Sequence, residues 1–186
     1  MPFLETEFFG LYVFEPVVYH DNRGFFFESY NQKVLEEKGI YLNFVQDNHS
    51  KSSYGVIRGL HYQKPPYAQV KLIRVIQGSI LDVVVDIRVG SPTFGKVFSI
   101  ELSAENKKQL FIPAGFAHGF SVLSATAEVL YKCDQYYHKA SESGIAFNDP
   151  DLAIDWKIPD GNMIVSEKDL KQPLFKNLEP VFRYEE

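Results

Sequence analysis

The chain has 186 residues and a mass of 21.3 kDa, the size of one ordinary domain. Nineteen Lys and Arg against twenty-four Asp and Glu give a formal net charge of −5. That balance argues against a general nucleic-acid or anionic-membrane surface, which needs a basic stripe. The single cysteine, Cys133, excludes an intrachain disulfide framework and a multi-cysteine zinc site. The 45% hydrophobic content suits a chain that buries a core, and the 15% aromatic content is unusual. Rings favour strands, flat ligands or a wide subunit interface, and composition alone does not choose among them.

In chain order, the opening MPFLETEFFGLYVFEP is strand-rich and aromatic, lacks a basic n-region and is cut by Glu5, Glu7 and Glu15. It does not read as a signal peptide. No apolar run approaches the roughly 20 residues that span a bilayer, so a cytoplasmic protein with no membrane partner is expected. NQKVLEEKG at 31–39 has an Asn cap and a Gly stop, and predicts a helix of about two turns. Strands follow at 45–48 (VQDN), 55–63 (GVIRGLHYQ), 69–77 (QVKLIRVIQ) and 79–88 (SILDVVVDIR). In the last of these Leu81, Val83, Val85 and Ile87 share one face, while Asp82, Asp86 and Arg88 share the other. VGSPTFG at 89–95 is a turn, and further strands lie at 97–102, 109–113, 118–123 and 127–132. From 148 onward the tail is mostly loop, with a short helical turn near Ser166. One all-β domain, an antiparallel sandwich or barrel with short peripheral helices and an irregular tail, is the expectation.

Pro113-Ala114-Gly115-Phe116-Ala117-His118 resembles the second half of the cupin signature, in which the His is a metal ligand. Gly55, five residues and then His61 resemble the opening of the first half. There the metal-binding pattern breaks. Position 63 is Gln63 instead of a second His, and Tyr67, Ala68 and Gln69 stand where a Glu is needed. Two imidazoles without a carboxylate or third His make a poor divalent site, so a metal-free cupin is expected.

Other residues carry two readings each. Arg58 and His61 are an odd number apart and diverge on a regular strand; only a turn or bulge at Gly59 brings them together. Tyr131 shares parity with Val129 and Cys133, facing the core or a cavity. Lys71 shares a face with Ile73 and Val75, and an ammonium there needs a partner or a function. Asp169 in Ser166-Glu167-Lys168-Asp169 fits a capping box. Asp82 and Asp86 could orient a histidine from an inner face or sit in solvent. Arg23 and Glu28, an odd number apart, would be separated by a strand.

Taken together the chain resembles the dTDP-4-dehydrorhamnose 3,5-epimerases. The strings that carry the likeness are DNRGFFFE (21–28), QDNHSKSSYGVIRGLHYQKPP (46–66), QVKLIRVIQGSILDVVVDIR (69–88), SPTFGK (91–96), IPAGFAHGF (112–120), YKCDQYY (131–137), NDPDLAIDW (148–156) and SEKD (166–169). The resemblance implies a metal-free, cofactor-free cupin jelly roll acting on a dTDP-4-keto-6-deoxyhexose. By match, His61 is the base, Tyr131 the acid, Asp169 the carboxylate that orients His61, and Lys71 the cation for the enolate oxygen. Arg23, Arg58 and Lys168 match nucleotide or phosphate contacts. Glu28, Gln46, Asn48, His118 and Glu142 match other substrate contacts, and Tyr137 matches the ring that stacks on thymine. The resemblance also implies a homodimer that exchanges strands from about residues 1–50, with Arg23 and Glu28 serving the partner's pocket. Asp134, Phe147 and Lys157 depart from the family's usual Thr, Trp and Pro. Relatives that epimerise only C3 or C5, a metal-dependent cupin enzyme and a non-catalytic sugar-binding module are the alternatives.

Overall fold

The computed structural model describes residues 3–184. In chain order the strands are β1 (Phe3–Glu5), β2 (Tyr12–Phe14), β3 (Tyr19–Asp21), β4 (Gly24–Phe26), then after helix α1 (Gln32–Glu36), β5 (Gln46–Ser53), β6 (Val56–Gln63), β7 (Lys71–Gln77) and β8 (Ser79–Asp86). They continue with β9 (Arg88–Val89), β10 (Val97–Ser103), β11 (Gln109–Ile112), β12 (Phe116–Val122), β13 (Thr126–Cys133), β14 (Glu142–Gly144), β15 (Ile164–Val165) and β16 (Phe182–Arg183). One sheet runs β1-β2-β11-β7-β13-β5, and the other β10-β8-β12-β6-β14 with β15 added to β6. Apart from the short parallel pairs β15–β6 and β16–β9, the pairing is antiparallel. Two such sheets packed face to face form the expected jelly roll.

Between the sheets, Ile73, Val75 and Val129 meet Ile80, Val84, Phe116 and Phe120 in one apolar cluster. The alternation in 79–86 is as the sequence reads, but neither face of β8 reaches solvent. Leu81, Val83 and Val85 point outward and are covered by the tail residues Leu152, Trp156 and Phe182. Asp82 and Asp86 point inward and are fully buried. The tail is irregular yet serves as an outer layer, and it delivers β15 to the edge of β6. On the opposite flank, Leu35 of α1 packs with Phe14, Leu72 and Phe111. Asn31 caps that helix, its Oδ1 accepting from the Lys33 N–H at 3.0 Å, and Gly39 ends it at φ 78°.

β5 is longer than the sequence indicates. Its eight residues, QDNHSKSS, show no apolar alternation, and pairing with β13 from Cys133↔Gln46 to Thr126↔Ser53 makes the strand. Among the described residues no helix is long and apolar enough to cross a membrane.

A buried ion network ties both ends of the chain to the sandwich. Arg88 donates to Asp86 from Nε at 2.9 Å and Nη2 at 2.8 Å, and from Nη1 to the Phe9 carbonyl at 2.9 Å. The Ser91 and Thr93 hydroxyls donate to Asp86 Oδ2 at 2.6 and 2.7 Å. The guanidinium also lies over the rings of Phe116 and Tyr184. Burial acts to raise the Asp86 pKa, but these donors more than offset it and hold the carboxyl below its usual range. Removing one partner of such a pair strands the other charge in the interior. Asp86→Ala is expected to cost about 3–5 kcal/mol in urea unfolding; a loss under about 1 kcal/mol, the range of an exposed pair, would show that the pair carries no such burden.

Candidate active site

The site begins with a fault in a strand. On β12, His118 pairs with His61 and Phe120 with Arg58, so Gly119 alone opposes both Gly59 and Leu60. This two-against-one bulge reverses parity, and Arg58 and His61 line the same cavity despite their odd spacing. Only glycine fits the crossing. A Cβ at Gly59 would lie 2.5 Å from the Gly119 Cα, and Gly59 has φ 123°.

His61 is fixed by a residue 108 positions away. Its Nε2 lies 2.5 Å from Asp169 Oδ1. β15, paired to the first residues of β6, brings Ser166, Lys168 and Asp169 to the cavity rim. The Ser166 hydroxyl accepts from the Asp169 N–H at 3.1 Å, so Ser166 does the capping and the buried carboxylate is free to hold His61. Burial pushes the Asp169 pKa up. The hydrogen bond and charge of His61, with Ser166 and the Gly59 backbone, more than offset this and hold it below the usual carboxylate range.

The opposing sheet supplies the other wall. Tyr131 on β13 and Lys71 on β7 face the same cavity of about 410 Å³, a volume suited to a small polar ligand. The Tyr131 ring packs against the inner core, and its hydroxyl makes no hydrogen bond among the described residues. Burial raises its pKa; Cys133 and Glu142 act the same way, and Arg58 opposes them. Burial lowers the pKa of Lys71, against the pull of Cys133, Asp82 and Glu142.

His118 forms a second imidazole–carboxylate pair, its Nε2 2.5 Å from Asp82 Oδ1. The inner face of β8 thus orients a histidine, one of the two options open in the sequence. An adjoining cavity of about 160 Å³ shares His61, Lys71 and Tyr131 and adds Gln46, Asn48, Tyr137 and Glu142. There the Tyr137 hydroxyl donates to Glu142 at 2.8 Å, and Glu142 pairs with Lys168. The Gln46 side-chain oxygen, Oε1, accepts from the Tyr137 N–H at 3.0 Å. Three cations, Arg58, Lys71 and Lys168, gather here on a chain whose overall charge is negative.

Arg23 and Glu28 are not in either cavity. Arg23 sits on the exposed β3–β4 hairpin paired with Asp21, and Glu28 accepts from Asn31. Gln63 lines the smaller cavity with its amide already engaged: it donates to the Tyr67 and Tyr136 carbonyls and accepts from the His138 N–H. Among the described residues no three His, Cys, Asp or Glu side chains gather as a metal-binding set. Of the departures from the family, Asp134 accepts from the Val70 N–H at 2.7 Å, Lys157 pairs with Asp155, and the Phe147 carbonyl accepts from the Trp156 indole. None of the three lines either cavity. Sequence reading missed Ser50, Val56, Phe120 and Ile164 as cavity walls. Phe120 follows His118 by two residues on one strand and could have been found by parity; β5 offered no alternation from which to place Ser50.

These features define a cupin-like jelly roll whose cavity holds an oriented histidine on one sheet and a free tyrosine on the other. The model of the dTDP-4-dehydrorhamnose 3,5-epimerase family matches residues 5–177. An enzyme of that description from Shigella flexneri is 54% identical over 94% of this chain and 96% of its own length. The crystal structure of dTDP-4-dehydrorhamnose 3,5-epimerase from Elizabethkingia anophelis superposes with a TM-score of 0.91 at 54% identity, covering 95% of this chain and 97% of that one. The dTDP-6-deoxy-D-glucose-3,5-epimerase of Legionella pneumophila, solved with dTDP-4-keto-L-rhamnose, superposes at 0.94 with 48% identity over 100% and 99%. The chain belongs to the dTDP-4-dehydrorhamnose 3,5-epimerase family.

Because the Asp169 pKa is depressed in the folded state, its stabilisation is present above the ordinary carboxylate pKa and disappears as pH falls through the depressed value. Asp169→Asn is therefore expected to be less stable than the native chain at neutral pH, with the gap closing on acidification. Urea midpoints of the two proteins across that range check this; a gap independent of pH would break the link to the His61 pair.

Proposed function

We propose that this chain epimerises both carbons flanking the ketone of dTDP-4-keto-6-deoxy-D-glucose, giving dTDP-4-keto-L-rhamnose. The observation that carries the reading is the placement of His61 and Tyr131 on opposite sheets with one cavity between them. Inversion at a carbon is served by this opposition, because a proton leaves one face and another arrives on the other. The hydrogens at C3 and C5 are acidified by the C4 ketone. His61, held by Asp169, takes the proton, and the electron pair moves onto the ketone oxygen as an enolate. Lys71 lies on the Tyr131 wall, where its charge in a poorly solvated interior stabilises that oxygen. Tyr131 then donates its proton to carbon from the opposite face. A raised pKa keeps the phenol protonated at neutral pH, and the Arg58 charge favours the phenolate that forms. Exchange with water restores both groups for the second carbon.

Arg58 and Lys168 at the rim would meet the diphosphate. Tyr137, with Gln46, Asn48 and Glu142 around it, would face the base and its sugar, and His118 closes the inner end. A cytoplasmic setting fits the free thiol of Cys133 and a nucleotide-linked substrate.

The reading includes a homodimer in which the hairpin of one protomer completes the pocket of the other. The exposed hairpin supports it: Tyr19, Phe25 and Phe26 are 63%, 58% and 71% exposed, more ring surface than a lone monomer ordinarily shows. Arg23 and Glu28 lie on and just beyond that hairpin, outside their own cavity. Mixing Arg23→Ala with His61→Ala, each inactive alone, is expected to restore about a quarter of native activity as subunits reassort, since one pocket of each mixed dimer is intact. No recovery after confirmed exchange would place Arg23 in its own pocket or nowhere.

In D₂O the native chain is expected to place deuterium at both C3 and C5 of the substrate, read by NMR. Incorporation at one carbon would reassign it as a mono-epimerase, and none would end the epimerase reading. Tyr131→Phe should lower the rate by roughly 10²–10⁴-fold, and His61→Ala should abolish exchange with dTDP binding retained.

A further inference from the structure

The inner face of β5 is polar along its whole length, Gln46, Asn48, Ser50 and Ser52, in a sandwich whose inner faces are otherwise largely apolar. Three of the four are occupied. Gln46 accepts from the Tyr137 N–H and donates to Asn48 at 3.0 Å, and Asn48 donates to the Cys133 sulfur at 3.7 Å. Ser52 accepts from Arg58 Nε at 3.1 Å, which sets the direction of that guanidinium. Ser50 alone is left over. Its hydroxyl is shielded from solvent and has no hydrogen-bond partner, although the residue lines the main cavity with Arg58, His61, Lys71 and Tyr131. A buried hydroxyl without a partner is rare and is relieved wherever a partner exists. A serine hydroxyl needs rotation about one bond to change direction, and it can both donate and accept.

We propose that Ser50 is a direct contact for the sugar, hydrogen-bonding the C2 hydroxyl of the bound hexose; the proposal rests on the epimerase reading above. Its place on the strand selects that hydroxyl. On one side of Ser50 is Asn48, paired across to Tyr131 at the reacting centre; on the other is Ser52, holding Arg58 at the anionic end. In the hexose, C2 lies between C1, which carries the diphosphate, and C3, the nearer reacting carbon. Holding C2 fixes C3 against His61, a specificity the pocket cannot obtain from apolar walls.

The test compares native protein and Ser50→Ala on dTDP-4-keto-6-deoxyglucose and on its 2-deoxy counterpart, following deuterium incorporation. On the parent sugar Ser50→Ala should lose about 3- to 10-fold in kcat/KM, the worth of one neutral hydrogen bond. Affinity for dTDP alone should be unchanged, and the melting temperature unchanged or raised, because the variant removes an unpaired hydroxyl. On the 2-deoxy sugar the two proteins should be equal. Equal kcat/KM on the parent sugar, or the same loss on both sugars, overturns the contact. Absence of exchange by the native protein would overturn the epimerase reading itself, which separates the two failures.

Discussion

Opposite Gly119, two residues of β6 occupy the space of one, and that mismatch sets the facing of every side chain beyond it. Without it, Arg58 and His61 would stand on opposite faces of the sheet, and the cavity would lose either its rim cation or its imidazole. The bulge exists because Gly59 and Gly119 cross with a separation that no Cβ permits. It also puts the Gly59 backbone beside Asp169, one of the groups that keep the carboxylate ionised. A packing constraint between two glycines therefore reaches the chemistry of a histidine two residues further on.

Carboxylates supply much of the order in this interior. Asp169 holds His61, Asp82 holds His118, and Asp86 holds Arg88. Each is buried, and for Asp86 and Asp169 the donors around it outweigh the cost of burial. The formal charge of −5 therefore says little about what the cavity attracts. Several negative charges are spent inside on orienting cationic or imidazole groups, while Arg58, Lys71 and Lys168 line the cavity. Local arrangement, with a low local dielectric to strengthen it, outweighs the total.

The outer layers show how an irregular segment can be structurally necessary. The tail covers the outward apolar face of β8, and in doing so places β15 and the turn carrying Asp169 against β6. The aromatic content is divided among these layers. Phe8, Phe116 and Phe120 fill the inner core, Phe14 and Phe111 pack beneath α1, and Phe25 and Phe26 stand in the open on the hairpin.

From the sequence alone came the all-β class, the spacing of most strands, the Asn31 cap, and the two-residue alternation of β8, because hydrophobic periodicity and turn residues are local signals. The same parity correctly set Lys71 with Ile73 and Val75 facing inward. The family likeness named His61, Tyr131, Lys71 and Asp169 together, although no local pattern connects residues so far apart. Three things were decided only by tertiary structure. The polar segment QDNHSKSS became an inner strand through pairing with β13; the face of β8 that carries Asp82 and Asp86 turned between the sheets while the tail covered the other; and Arg58 joined His61 through a bulge. In each case the deciding contact lies across a sheet or between sheets, where a neighbour's register and the space it leaves, not the local pattern of residues, determine which way a side chain points.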